Sequence, residues 1–397
     1  MPDRTPIDPV ARAAHLDWLR DLTQIPTAAG REDRVIRWIK AWAAARTGIM
    51  LAEDQAGNLT LGRANTPSGL PVVYYTAHLD HPAFVVERVV APTVVELSFR
   101  GGVMSDYFTN ARVRVFDHDD GWYTGTLTGK ADAPGPFTHY TAELERVGKS
   151  LRVGDVGVWD LPPAGIVDGC MHTHACDDLA AAAAALAAFD VLLTRPPTQD
   201  VRLLLTRAEE VGFLGAIAAV RLGTVPKGAR ILALENSRSF PDSPIGGGPI
   251  VRVGDRISIF SPRLTDAVAK RAEQIAGGPA QATAQQKNSG LPSWKWQRKL
   301  MAGGACEASV FCEAGYECTC VCLPLGNYHN MGDLAAVQAG TNTKPATIER
   351  EFIAVADYEG LVDLLVGCGV ALPASGGNAA LFEKLYTEKR FVLGSNL

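Results

Sequence analysis

Residues 70–80 read LPVVYYTAHLD. From Leu70 to Ala77 almost every side chain is apolar, β-branched or aromatic, and the run stops at His78. A short apolar run of this kind marks a strand covered on both faces, the usual state of a strand in a parallel sheet. Working outward, the pattern predicts an Ala-rich helix over about 178–193, a strand at Val201–Thr206, a helix from about Leu214 and a strand at Ala229–Leu234. Strands alternating with helices imply a sheet packed between helical layers. Further along, a β segment is expected near 250–260 and a strand at Cys318–Leu323, with helices near 264–275, 305–313, 356–367 and 378–388, the last two amphipathic. Before the first strand, Leu16, Leu19 and Leu22, then Val35, Ile36, Ile39 and Trp42, recur at helical spacings around a break at Pro26–Gly30. They read as two covering helices.

Between about Phe84 and Val167 the texture changes to short alternating runs (VVERVV, TVVELSF, ARVRVF, YTGTLTG) punctuated by Gly, Asp and Pro. Such a stretch predicts a small all-β domain. The expected fold is therefore α/β: a mixed, mostly parallel sheet sandwiched by helices, carried by residues 1–84 and 168–397, with a β-rich insertion at 85–167.

The chain has 397 residues, enough for two or three domains and a sizeable core. With 47% hydrophobic and 20% charged residues and a mean hydropathy of +0.04, it has the composition of a globular chain. A net charge of −5, from 38 basic and 43 acidic side chains, gives no positive field for a polyanion, so nucleic acid is not an expected partner. The opening MPDRTPIDPV lacks the basic and then apolar character of a secretory signal, and the longest apolar segment, near 179–193, is shorter than the roughly 20 residues of a bilayer span. Eight cysteines without a C-x-x-C pair read as free thiols in a reducing cytoplasm, with no membrane partner.

In open α/β sheets, ligands bind beyond the carboxyl ends of the strands. His78 and Asp80 follow the first strand, Glu209 and Glu210 follow the next in TRAEEVG, Glu235 closes LALEN, and His329 lies in LGNYHNMG after the last. Asp177 and Asp178 stand where the Ala-rich helix begins. Two histidines with several carboxylates suit Zn, with Co or Mn also possible, and they outnumber the ligands of a single catalytic ion. A second ion with a shared carboxylate is implied, with one of Glu209 and Glu210 as ligand and the other as general base.

The motifs AHLD (77–80), CDDLA (176–180), EEVGFLGA (209–216), LALEN (232–236), GGACEA (303–308) and NYHN (327–330) resemble, in order, those of the tetrahedral and glutamyl aminopeptidases, dinuclear metallopeptidases of the zinc-exopeptidase clan. The resemblance implies one ion on His78 and Glu235, another on Glu210 and His329, and Asp177 bridging. It makes Glu209 the general base, gives Asp80 the role of orienting His78, and implies a cis Asp177–Asp178 peptide. It also implies a peptide substrate with a free amino terminus, with Glu307 near its pocket, and a homo-oligomer, dimer up to dodecamer, assembled through the β insertion. Glu235 stands where this family usually has Asp, and in the wider clan Glu there accompanies carboxypeptidases and N-acyl amino acid deacylases, the alternative reading. A catalytically silent metal-binding scaffold is the rival from another class, opposed by the Glu209 base.

Other signals read as structural. His172 and His174 are expected as loop histidines, and Cys318, Cys320 and Cys322 as small buried side chains sharing one strand face. Gly246–Gly248 reads as a backbone turn near the substrate channel rather than a phosphate loop, and Trp294–Lys299 as a helix surface or pocket rim. No G-x-S-x-G elbow is present.

Overall fold

The structure, a computed structural model, describes residues 6–280, 294–373 and 379–393. Residues 1–5 of the opening stretch and residue 378, where the last helix was expected to start, lie outside them. Helices α1 (Pro9–Leu22) and α2 (Asp33–Ala44) precede strands β1 (Ile49–Glu53), β2 (Leu59–Arg63) and β3 (Val72–His78). Six strands follow: β4 (Ala83–Ala91), β5 (Val94–Arg100), β6 (Arg112–Phe116), β7 (Trp122–Ala131), β8 (Thr138–Leu144) and β9 (Val156–Trp159). Next come β10 (Gly165–Val167), β11 (Cys170–Thr173), α3 (Leu179–Leu193), β12 (Asp200–Thr206), α4 (Leu214–Leu222), β13 (Arg230–Arg238), β14 (Ile250–Asp255) and α5 (Pro262–Ala276). The chain continues with β15 (Gln297–Met301), α6 (Ala308–Glu313), β16 (Glu317–Leu325), α7 (Leu334–Ala339), β17 (Glu351–Ala354), α8 (Val355–Val370) and α9 (Ala379–Lys389).

Over the described residues the main sheet has the order β1-β2-β12-β3-β13-β16-β14-β15. Its centre, β12-β3-β13-β16, is parallel, and antiparallel pairs occur at β1/β2, β2/β12 and β14/β16. The mixed, mostly parallel sheet expected from the sequence is thus present. Alternation along β3 explains why its run is apolar throughout: Val73, Tyr75 and Ala77 enter the core under α1, α3, α5 and α8, while Tyr74 enters the one under α4 and α6. Helix α3 is buried at nearly every position, and alanine lets it do this, combining high helix propensity with a thin cross-section. Helix α8 corrects an expectation. It is buried almost all round rather than amphipathic, because α3, α5 and β16 enclose it. The segment Trp294–Lys299 is likewise neither a helix surface nor a rim: Trp294 and Trp296 are buried and Gln297 begins the edge strand β15.

Strands β4–β9 close into an antiparallel barrel in the order β4-β5-β8-β7-β6-β9. Closure pairs every strand of this insertion, so it has no open edges in need of cover. Its interior is aromatic: the Phe84 ring lies 4.9 Å from Phe99 and 4.8 Å from Trp159, and Phe108 stacks on Tyr140 at 4.3 Å. Phe84 is fully buried, so Phe84→Ala is expected to cost about 3 to 5 kcal/mol, read by denaturant unfolding. A loss below about 1 kcal/mol would contradict this packing.

Candidate metal centre

The parallel register sets the site. His78 ends β3 opposite Thr206, which ends β12, and Glu235 lies two residues beyond the Ala233–Thr76 pair of β13 and β3. After β12 the chain turns sharply, with Ala208 and Phe213 in the left-handed region. Gly215, at the start of α4, packs so closely on this turn that a Cβ would lie 2.4 Å from the Arg207 backbone. That close approach accounts for the second glycine of EEVGFLGA. Buried Glu32 clamps the same turn, accepting from Ala208 N–H at 3.0 Å and from Arg207 Nε at 2.7 Å.

His78, Asp177, Glu209, Glu210, Glu235 and His329 converge. Asp177 Oδ1 lies 3.4 Å from His78 Nε2, and its Oδ2 lies 3.4 Å from His329 Nε2. Around His78 Nε2 also stand Glu209 Oε2 at 3.9 Å and Glu235 Oε1 at 4.0 Å, and His329 Nε2 is 3.4 Å from Glu210 Oε1. Three sets of candidate donor atoms each lie within 4.8 Å of one another: His78, Asp177 and Glu210; His78, Glu209 and Glu235; Asp177, Asp178 and Glu235.

The imidazole tautomers point the same way. His329 Nδ1 donates to the Gly102 carbonyl at 2.6 Å, and His78 Nδ1 donates to the Asp80 carbonyl at 3.2 Å, so in the neutral rings both Nε2 atoms present lone pairs to the carboxylates. The His329 contact comes from the loop after β5, so the barrel insertion takes part in orienting this side chain. The Asp80 carboxylate mainly serves the glutamate turn, accepting from Glu209 N–H at 2.9 Å and Glu210 N–H at 3.0 Å, while it stands 3.5 Å from His78 Nδ1. The Asp177–Asp178 peptide is cis, as the resemblance implied. Asp178 Oδ2 accepts from His78 N–H at 3.3 Å.

This many carboxylates in one buried place are costly without positive charge. Burial, then neighbouring Asp177, raises the carboxyls of both Glu210 and Glu235. Burial also raises Glu209, against the pull of His78. For Asp177 burial works upward too, yet the His329 and His78 imidazoles beside it hold its carboxyl low. Burial opposes the charged form of His78, but the negative charge of Glu209 and the Asp177 and Asp80 carboxylates beside it outweigh burial and raise the imidazole. Asp177 Oδ1, Asp178 Oδ1 and Glu210 Oε1 are buried without a hydrogen-bond partner. Orphaned anionic oxygens facing imidazole lone pairs are a donor set that fits divalent cations.

Other residues named from sequence fall outside this cluster. Glu307 is fully buried and accepts from Thr206 Oγ1 at 2.7 Å, at the end of β12. His172 stacks on Phe352 at 4.8 Å, and burial lowers His174 to about 3. Cys318, Cys320 and Cys322 are buried in the core under α4 and α6. The Gly246–Gly248 turn donates its amides to Asp357, at the start of α8.

Three further residues lie nearby: Glu351 and Tyr328, which the sequence does not single out, and His81, which follows Asp80 where the family resembled more usually has an acidic residue. Glu351 is fully buried and accepts backbone hydrogen bonds from both Asp177 and His329. His81 sits between the Asp177 carbonyl at 2.5 Å and Asn330 Oδ1 at 3.0 Å, and burial lowers it to about 4, so the neutral ring donates to the nearer acceptor. Tyr328 stacks on His329 with ring centroids 3.8 Å apart. Tyr328 lies inside a motif already read, NYHN, and His81 directly follows AHLD, whereas Glu351 lies in REFIA, which carries no local signal.

Among solved structures, the chain is similar to the aminopeptidase APDkam598 from the archaeon Desulfurococcus kamchatkensis, with a TM-score of 0.70 and 20% identity over 92% of this chain and 96% of that one. It is also similar to a TET aminopeptidase from a marine sediment Thaumarchaeota archaeon, with a TM-score of 0.71 and 18% identity over 90% and 97% of the two chains. The Pyrococcus horikoshii TET1 peptidase, which can assemble into a tetrahedron or a large octahedral shell, gives a TM-score of 0.69 and 19% identity over 90% and 100%. At these identities the likeness shows a common fold. Among curated protein sequences none matches. A family model, however, matches residues 57–287, more than half of the chain and a span that includes the AHLD, CDDLA, EEVGFLGA and LALEN motifs; the chain belongs to the M42 glutamyl aminopeptidase family, hydrolases for which divalent metal is implied.

Proposed function

We propose that this aminopeptidase removes N-terminal residues from short peptides at a centre for two divalent ions, Zn, with Co or Mn as substitutes. The observation that carries this reading is Asp177, whose two oxygens each lie 3.4 Å from a different imidazole nitrogen. His78 and Glu235 would hold one ion, His329 and Glu210 the other, and Asp177 both. When bound, such ions polarise a scissile carbonyl and acidify water.

The protein's own groups do the rest. Glu209, 9% exposed and raised by burial, would take the proton of the attacking water and return it to the leaving amine. Asp80 fixes this glutamate and its neighbour through their backbone amides. We assign residues 1–84 and 168–397 to catalysis and the insertion at 85–167 to contacts between copies. The insertion exposes Val90, Trp122 and Val153 at 52%, 47% and 63%, and one similar structure, PhTET1-12s, is described as a dodecamer. No helix among the described residues is long and apolar enough to cross a membrane. All eight cysteines are free, which suits a reducing cytoplasm.

A panel of short peptides, free or blocked at each end, tests the substrate class. Free-amine peptides are expected to be cleaved, activity to vanish on chelation, and reloading with Zn²⁺, Co²⁺ or Mn²⁺ to restore it. Faster cleavage of N-acetylated substrates would replace the aminopeptidase reading with the deacylase or carboxypeptidase one that Glu235 admits. Mass measurement in solution tests assembly: a homo-oligomer is expected, and a 42.3 kDa monomer at micromolar concentration would contradict it.

A further inference from the structure

Asp177 and His329 enter the site on turns that no strand or helix fixes. Asp177 lies between β11 and α3, and His329 lies beyond β16 with Asn327, His329 and Asn330 all in the left-handed region. One side chain joins the two turns. Glu351, fully buried at the first position of β17, accepts from Cys176 N–H at 2.7 Å and Asp177 N–H at 3.0 Å with Oε2, and from His329 N–H at 2.8 Å with Oε1.

The residue is itself held from both sides. Glu351 pairs with Thr173 of β11, and the next residue, Phe352, bridges to Gly326 at the end of β16. A Cβ at Gly326 would lie 2.2 Å from the Phe352 ring, so the two segments are in close contact. Glu351 thus stands at the point where the strands leading to the two turns are tied together.

We propose that Glu351 is a positioning residue of the metal centre, a buried carboxylate that sets the distance between Asp177 and His329 so that one side chain can face ions on both sides. The choice of glutamate follows from the donors it meets. Three N–H groups converge from two turns, and a carboxylate offers two oxygens that only accept. An amide would turn one of its ends into a donor aimed at another donor. Glu351 belongs to none of the candidate ligand sets, and both of its oxygens are taken by amides, so it acts through the ligands rather than on the ions. This inference rests on the metal-centre reading and deepens it.

The test uses metal-stripped full-length wild type and Glu351→Gln, titrated calorimetrically with Zn²⁺ and, separately, with Co²⁺ while its visible absorption is followed. Wild type is expected to take up metal, and the variant to bind about 10- to 100-fold more weakly, as for other residues that orient ligands, with an altered Co²⁺ band shape. A merely structural residue would lower the melting temperature and leave the band shape unchanged. Affinity within twofold of wild type together with an unchanged spectrum would overturn the proposal. If Glu351→Gln does not fold, Glu351→Asp is read in the same way, since it keeps the charge and shortens the reach. Failure of both to fold, even with excess metal, would make the role purely structural and also overturn the proposal. A wild-type protein that binds no metal would remove the metal-centre reading itself, a failure distinct from the others.

Discussion

Glu209→Gln is expected to keep the fold and the full complement of metal while losing 10²- to 10⁴-fold in kcat, about 3 to 5 kcal/mol of barrier. The amide has the size of the carboxylate and can still accept a hydrogen bond, but it cannot take the proton of the attacking water. Glu209 suits this test because its backbone is held independently of its side chain, through the amide donated to Asp80 at 2.9 Å and the clamp of Glu32 on Ala208. Steady-state kinetics with metal analysis on the same sample check it. A fully loaded variant with near-normal kcat would end the general-base assignment, leaving the metal assignment intact.

Asp177→Asn is expected to do more damage by another route. Each Asp177 oxygen faces a different histidine, so converting one to an amide nitrogen removes an anionic donor from one ion and weakens the charge facing the other. Metal affinity should fall by more than the roughly 10- to 100-fold usual for residues that only orient ligands. Occupancy and turnover should drop together, in contrast to Glu209→Gln, where turnover alone drops. Glu210→Gln is expected to lie between them, because its carboxylate lies 3.4 Å from His329, whereas Asp177 has an oxygen that close to each of two imidazoles. Equilibrium dialysis against a graded metal buffer separates the three variants, and an Asp177→Asn protein that retains both ions would contradict the shared role.

What could be read from the sequence follows how far each signal reaches along the chain. Strand β3, helix α3 and strand β12 announce themselves within a dozen residues, because burial on both faces forces apolar runs and the reactive residues sit where those runs stop. Strands β1 and β2 were not anticipated: β1 is short, mostly exposed and at the sheet edge, so its pattern carries little. Strand β15 was mistaken for a helix surface because its charged residues face solvent on an edge. Helix α8 looked amphipathic until its neighbours on several sides were known.

The candidate site divides in the same way. The residues whose side chains converge were all legible, since strand ends point to them. Glu351 was not, because its partners lie 22 residues away at His329 and 174 residues away at Asp177, and nothing local shows that three amides need an acceptor there.

The most direct measurement is anomalous X-ray scattering at the Zn edge from crystals of the metal-loaded protein. Two peaks about 3.5 to 4 Å apart are expected, one beside His78 and Glu235, the other beside His329 and Glu210, with Asp177 between them. A single peak, or none within reach of Asp177, would contradict the dinuclear centre.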